Sequence, residues 1–237
     1  MAETSQFELP LLASAQAQKH VTVNEALAVL DCVAQLRLLS ATIATPPTDV
    51  VDGDAYMLPL GADGAWAGMD GKLAIAVNGG WRFLTPKAGW QSFNTETGTH
   101  QLYDGTDWLD STLAATPSGT ATEFQIVELD HQITAGSSNV TAPIIPAQSV
   151  VTGVTARVSE TITGTLSSWQ MGVPGGLDRY GTGFGLPLNS FALGLTGSPL
   201  AYYSDTGIEL TADGGDFSGG TIRIAVHYMR LVPPRPI

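Results

Sequence analysis

Apolar residues recur at two spacings along this chain: three to four residues apart near the N-terminus and two residues apart in the second half. The first spacing predicts a helix that begins at Thr22, where Thr22 and Glu25 form a capping box, and that ends near Ser40. Its apolar stripe consists of Val23, Ala26, Leu27, Leu30, Val33, Ala34 and Leu38. Residues 13–20, just before it, are mostly small and polar, and we interpret them as an arm that docks on a neighbouring molecule.

Residues 52–110 are organised as short hairpins in which tryptophan follows a turn glycine by one to three residues. Asn78-Gly79-Gly80 lies between two apolar runs, 73–77 and 81–85, which is a strong hairpin pattern. A second hairpin is predicted at Asp104-Gly105. The spacings between these units are irregular, so the segment is predicted to be a meander and not a repeat array.

Residues 111–122 are small, polar and uncharged, which is typical of a linker. After them, the two-residue spacing predicts strands at 124–134, 150–162, 169–173, 208–212 and 221–232. The glycine-rich stretch 172–197 is predicted to form loops at one end of a sandwich. The fold class that follows is mainly β: a small N-terminal α+β module of one helix plus short β-hairpins (1–112) and a jelly-roll-like antiparallel β-sandwich (123–237).

Charge and composition narrow the possible partners. Charged residues make up 14% of the chain, against about 25% in an ordinary domain, so part of the surface is expected to be covered by other subunits. The net charge of −12, with ten scattered basic residues, argues against nucleic acid and against anionic membranes. No signal peptide and no apolar window of membrane-spanning length is seen. We therefore expect synthesis in the bacterial cytoplasm and no membrane insertion.

Common catalytic and metal-binding patterns are not found. The sequence has no Gly-x-Ser-x-Gly elbow, no phosphate-binding glycine loop and no His-Glu-x-x-His motif. The four histidines are far apart, and Cys32, the single cysteine, is expected to be a buried, inert thiol. The turns Asp52-Gly53-Asp54 and 104–107 fit hairpins better than calcium loops. We expect no enzyme activity, no metal and no cofactor.

Two questions about binding stay open at this point. Trp66, Trp81, Trp90 and Trp108 form either the core of a small module or an exposed platform that stacks on sugar rings. In the second module, a carbohydrate-binding set in the end loops competes with a structural interpretation of the same residues: Trp169, Asp178, Arg179, Tyr180, Tyr202 and Tyr203. A hydrolase that uses loop acids is a third, weaker alternative, for which the candidates are Asp178, Asp205, Asp213 and Asp216.

Several uncommon pieces of the first half occur in an order that resembles a family of uncharacterised proteins of bacterial prophages and gene transfer agents. They are Leu9-Pro10-Leu11-Leu12, Gln16-Ala17-Gln18-Lys19-His20-Val21-Thr22, Asn24-Glu25-Ala26-Leu27, Gly53-Asp54-Ala55-Tyr56, Gly64-Ala65-Trp66-Ala67-Gly68, Gly80-Trp81-Arg82-Phe83 and Gly89-Trp90. The second half also looks like the module that often accompanies this family, around Gly153-Val154-Thr155, Asp178-Arg179-Tyr180-Gly181 and His227-Tyr228.

This resemblance implies a structural role on the exterior of a phage-like particle that is released by lysis. In gene transfer agents, members of the family are linked to head spikes, which decorate the capsid and help the particle hold the polysaccharide coat of a recipient cell. The implied partners are capsid or other spike and fibre subunits, cell-surface polysaccharide and further copies of the chain, as a pentamer or a trimer. The resemblance supplies no catalytic residues.

Overall fold

The structure, a computed structural model, describes residues 3–12 and 19–236, with only the backbone described at positions 19 and 20. The chain divides into two compact units, Met1–Gly119 and Thr120–Ile237. The division falls inside the segment 111–122 that was predicted to be a linker. That segment is more ordered than expected, because a short strand occupies Thr112–Ala115.

The prediction of a mainly β chain with one α-helix and a sandwich is confirmed. In the described part of the first unit the elements are α1 (Lys19–Ala34), one 3-10 turn (Gly64–Trp66) and eight short strands: β1 (Arg37–Leu38), β2 (Ala55–Met57), β3 (Leu73–Val77), β4 (Gly80–Leu84), β5 (Gln91–Asn94), β6 (Thr99–Tyr103), β7 (Trp108–Asp110) and β8 (Thr112–Ala115). Two small sheets form, with the orders β1-β5-β6-β7 and β2-β3-β4.

The helix differs from its prediction at both ends. It begins at Lys19, so Thr22 lies within the helix and is not the N-cap of a capping box. It ends at Ala34 and not near Ser40. Leu38 belongs instead to β1, where it pairs with Asn94 of the parallel strand β5 and is fully buried. Tertiary pairing here overrides local helical spacing. The predicted docking arm, 13–20, lies outside the described residues except for 19 and 20, which open the helix.

Both predicted hairpins of the first unit are confirmed. Val77 pairs with Gly80 across the two-residue loop Asn78-Gly79, and both loop residues have positive φ angles, 52° and 72°, as a tight hairpin turn requires. The second hairpin joins β6 to β7, and there the Asp104 carboxylate accepts hydrogen bonds from two backbone amides of the turn, at 2.9 Å each.

The second unit is an antiparallel sandwich of seven strands: β9 (Ala121–Gln132), β10 (Ser138–Val140), β11 (Ser149–Gly164), β12 (Ser168–Gly172), β13 (Phe191–Tyr202), β14 (Glu209–Asp213) and β15 (Phe217–Val232). Within this unit the larger sheet has the order β13-β11-β15-β9 and the smaller sheet the order β10-β14-β12. Consecutive strands therefore alternate between the two sheets, which is jelly-roll connectivity.

The core of the sandwich lies between the two sheets. Ile222, Ile224 and Val226, at alternate positions of β15, are fully buried. They pack against buried residues of β11, β12 and β14: Val151, Val154, Val158, Trp169, Met171 and Leu210. The strand ends at Val232, before the proline-rich tail, as expected.

Two strands of this unit were not predicted from the sequence: β10, which lies between the predicted strands 124–134 and 150–162, and β13. The stretch 172–197 was predicted to be loops, but β13 begins at Phe191 and runs through Gly194 and Gly197. Gly194 is needed for packing, since a Cβ atom there would lie 2.6 Å from the Val154 carbonyl oxygen and closer still to that of Tyr180. Glycine in this strand therefore marks a close approach of backbone and not a turn.

Candidate interaction surfaces

The N-terminal segment 3–12 is held on the helix by a buried carboxylate. Asp31 is only 2% exposed, and its side chain accepts hydrogen bonds from the Thr4 hydroxyl at 2.6 Å and from the backbone amides of Gln6 and Phe7 at 2.7 Å each. Further along, the Asn24 side chain accepts a hydrogen bond from the Leu12 amide and donates one to the Leu12 carbonyl oxygen. The helix thus presents two polar anchors for an extended segment, and no feature of the sequence pattern had indicated this role for Asp31.

We expect Asp31→Asn to release the segment without unfolding the unit. The Asn side chain is neutral and its amide nitrogen cannot accept a hydrogen bond, so at least one of the three donors loses its acceptor and the others lose a charged one. A hydrogen bond to a charged group is worth about 1.5–3 kcal/mol. Hydrogen–deuterium exchange should become faster at Gln6 and Phe7. Asp70→Asn is the matched control, because Asp70 accepts bonds from the amides of Gly61 and Ala62 in the same unit. Unchanged protection of residues 4–9 in Asp31→Asn would contradict the anchoring role.

The apolar stripe of α1 is largely exposed. Val23 and Leu30 are 41% and 56% exposed, whereas the residues that the helix buries most deeply are Asp31 and Cys32. Beside the stripe lies an open groove of about 670 Å³ between α1 and the β3–β4 hairpin, lined by Ala26, Val29, Leu30, Val77, Trp81 and Leu84 together with Thr22, Glu25 and Arg82. An amphipathic helix normally turns such a stripe toward the core, so the exposure of Val23 and Leu30 makes this face a candidate for contact with another molecule.

The tryptophans of the first unit have mixed surroundings. Trp66 is fully buried and packs edge-on against Trp81 at 5.0 Å, with Tyr56 as a third ring. Trp81, Trp90 and Trp108 are half-buried and pack against the two cores of this unit. The core interpretation therefore holds for Trp66. Trp81 packs against the core and also lines the groove beside α1.

Three of the six carbohydrate candidates lie in the sandwich core. Trp169, Tyr180 and Tyr202 are between 1% and 8% exposed. The Trp169 indole donates to the Gly185 carbonyl at 3.0 Å and packs on Phe184, while the hydroxyls of Tyr180 and Tyr202 lie 2.8 Å apart. Burial raises the pKa of Tyr180 well above its usual value. A sugar ring has no access to these faces, so their role in the described structure is packing.

The other three candidates are exposed. Asp178 and Arg179 lie in the turn after β12, and Tyr203, which is 85% exposed, follows β13. A carbohydrate role for these three stays a prediction. Two of the loop acids have structural partners: the Asp205 carboxylate accepts from the Ala147 amide, and that of Asp213 accepts from the Ser168 hydroxyl.

The remaining chemical groups have local explanations. Cys32 is buried, as predicted, and desolvation together with the neighbouring Asp31 carboxylate raises the pKa of its thiol to about 12, which keeps it protonated at neutral pH. The Asp54 carboxylate accepts from the Val51 amide within its turn. Within residues 3–12 and 19–236, no group of three or more His, Cys, Asp or Glu side chains is arranged to hold a metal ion, and no helix is long and apolar enough to cross a membrane.

Comparison with known proteins gives a match to a family model and matches to three chains of solved structures. The family model DUF2793, described as a protein of unknown function, matches residues 23–109, most of the stretch on which the sequence resemblance rests. Among solved structures, a chain of the Cyanophage Pam1 capsid asymmetric unit is similar, with 20% sequence identity and a TM-score of 0.35, over 50% of this chain and 92% of that chain. No curated protein matches the chain.

Proposed function

We propose that this chain is a non-catalytic structural component of a phage-like particle, a head spike or fibre of the gene transfer agent type. Its first unit attaches to the capsid or to another spike subunit. The observation that carries the proposal is the exposed apolar stripe of α1 and the groove beside it. The sequence resemblance points to the same role, and the DUF2793 match covers the unit that contains the groove.

The groove suits a protein partner. Its floor is apolar, with Val77, Trp81 and Leu84 on the hairpin side, while Glu25 and Arg82 lie among its lining residues. An apolar centre with a few polar groups is the usual composition of a protein–protein interface, where aromatic side chains contribute most of the binding energy. Covering Leu30 and its neighbours removes apolar surface from water at a gain of about 25 cal/mol per Å².

We expect Leu30→Glu to reduce attachment to the particle at least tenfold. The new carboxylate would lose its hydration when a partner covers the groove. The measurement is the fraction of tagged chain that sediments with particles in a density gradient, after expression in particle-producing cells. Leu60→Glu is the matched control, because Leu60 is a 90% exposed leucine of the same unit that does not line the groove.

The outcomes separate two levels of the proposal. If the unaltered chain does not sediment with particles, the structural role itself is wrong. If the unaltered chain and Leu30→Glu sediment equally well, the particle role stands but the groove is not the attachment surface.

Adhesion to cell-surface polysaccharide is the narrower second candidate, favoured by the exposed Tyr203 ring at the end of the sandwich. A tyrosine ring stacks on the apolar face of a sugar, and its hydroxyl adds a hydrogen bond. Tyr203→Ala is expected to lower retention on polysaccharide from a recipient strain at least tenfold, and Tyr203→Phe, which keeps the ring, should retain most of it. Equal retention by the unaltered chain and Tyr203→Ala would remove this residue from consideration.

A further inference from the structure

The outward face of the larger sheet carries an unusual amount of apolar surface. Six large side chains point to this face from alternate strand positions and are between 46% and 85% exposed in the full chain: Phe124, Ile126, Phe191, Leu193, Leu195 and Leu231. An antiparallel sheet that faces water normally presents polar residues at these positions. The face therefore departs from the composition of a solvent-facing sheet.

The area of this face is large enough for a stable interface. Four of the six residues are leucine or isoleucine, so about 150–190 Å² per side chain, the lower part of the aromatic range, is appropriate, and the six present roughly 600–750 Å² of apolar surface. The largest patch on a typical monomer is about 300–600 Å², whereas a standard interface buries about 800 Å² on each partner. The face lies at or above the first range and close to the second value.

The face has two ridges with a trough between them. One row of paired residues runs across the four strands of this unit's larger sheet: Ile126 of β9, His227 of β15, Gly153 of β11 and Leu195 of β13. Exposed residues of β9 and β13 form the ridges, and in the middle of the face the floor consists of small or half-buried residues of β15 and β11: Ala225, His227, Gly153 and Thr155. Leu231 of β15 lies at one end of the face. Against the β13 ridge the floor deepens into a depression of about 280 Å³, lined by Thr152, Gly153, Thr155, Leu193, Leu195 and His227, which is larger than the ~150 Å³ cavity that admits a benzene ring.

Charge also favours a self-interaction here. The chain has a net charge of −12, so two copies repel each other over most orientations. The twelve residues of β13 carry no charge. At one end of the face Arg223 pairs with two carboxylates, that of Asp130 through two contacts of 2.7 Å and that of Glu128 at 3.6 Å. The charged pair partners are thus grouped at one end of the face, and two copies of an acidic protein can approach through its uncharged β13 side.

We propose that the outward face of the larger sheet binds a second copy of this chain, with the β13 ridge of one copy seated in the trough of the other. A surface that presents both ridge and trough is complementary to itself, which is the requirement for an interface between identical subunits. The inference is independent of the particle role proposed above, because it concerns the purified chain alone.

The test is the mass of the purified full chain in solution, by light scattering after size-exclusion chromatography. We expect a mass at least twice the 24.7 kDa of one chain, unaffected by 1 M salt because the contact is apolar. Leu195→Glu and, separately, Ile126→Glu should give the mass of one chain with an unchanged circular dichroism spectrum. Both residues are exposed, so these substitutions do not disturb the core.

Two control variants make the result specific. Val140→Glu alters an exposed apolar residue of the smaller sheet, and Leu30→Glu alters the groove of the first unit; both should keep the mass of the unaltered chain. A monomeric unaltered chain at high concentration would overturn the proposal, as would an oligomer that survives both Leu195→Glu and Ile126→Glu. Dissociation by Leu30→Glu alone would place self-association at the groove, which also overturns it. None of these outcomes depends on whether the chain sediments with particles.

Discussion

Replacing Trp169 with alanine is expected to lower the free energy of unfolding of the sandwich by about 3–5 kcal/mol, the range measured for removing a buried large aromatic side chain. Trp169 is 1% exposed and packs on Phe184 with ring centroids 4.8 Å apart. Its removal leaves a cavity between the sheets and leaves the Gly185 carbonyl without its indole donor. Scanning calorimetry of the full chain should show the transition of this unit at least about 10 °C lower.

Tyr203→Ala is the matched control for this experiment, since it removes an aromatic ring that is 85% exposed. Its melting temperature should stay within about 2 °C of the unaltered chain, as is usual for surface substitutions. Together the two variants separate packing from binding: Trp169→Ala changes stability, whereas Tyr203→Ala changes only retention on polysaccharide if that residue binds sugar. A Trp169→Ala variant with unchanged melting temperature would show that this ring is not part of the core.

Gly194→Ala is expected to destabilise the same unit by about 3 kcal/mol, at the upper end of ordinary overpacking. The added methyl group would overlap the carbonyl oxygens of Val154 and Tyr180. Neither oxygen can move freely. Val154 belongs to β11, which is paired with a strand on both sides. The Tyr180 backbone is held by the hydrogen bond of 2.8 Å that its N–H donates to the Met171 carbonyl oxygen. Relief requires separating β13 from β11 or displacing Tyr180.

Gly197→Ala provides the control in the same strand. A Cβ atom at position 197 meets no heavy atom within 4 Å, so this substitution should be neutral or slightly stabilising through the reduced entropy of the unfolded chain. Denaturant unfolding of the two variants gives the comparison directly. Equal midpoints would mean that the close approach at Gly194 is relieved at little cost.

Elements governed by local chemistry were predictable from the sequence. The Asn78-Gly79 turn needs residues that accept positive φ, and only a few residue types do so easily. The alternation in β15 also places Ile222, Ile224 and Val226 on one side of the strand, and that side is buried in the structure. Strand β13 was missed because glycine has two uses, in turns and at close contacts, and only the position of Tyr180 distinguishes them.

The surfaces were harder to predict than the fold. Asp31 appeared to be an ordinary polar position on a helix, and its role depends on a segment that lies about 25 residues earlier in the chain. Helical spacing placed Leu30 in an apolar stripe, but spacing shows which residues share a face and not what covers that face. Loop aromatics give the same pattern whether buried or exposed, so Trp169 and Tyr203 were indistinguishable in the sequence.

The position of β15 inside the larger sheet has a consequence for how the protein is made. This strand pairs with β11 on one side and β9 on the other, and the bond between the side chains of Tyr228 and Gln125 joins residues 103 positions apart. Ribosomes release β9 long before β15 exists, so nascent β9 and β11 wait without their common neighbour while the first unit is free to fold. Slow closure of the sandwich, rather than its final stability, is therefore the step at which expression temperature and chaperones should determine the yield.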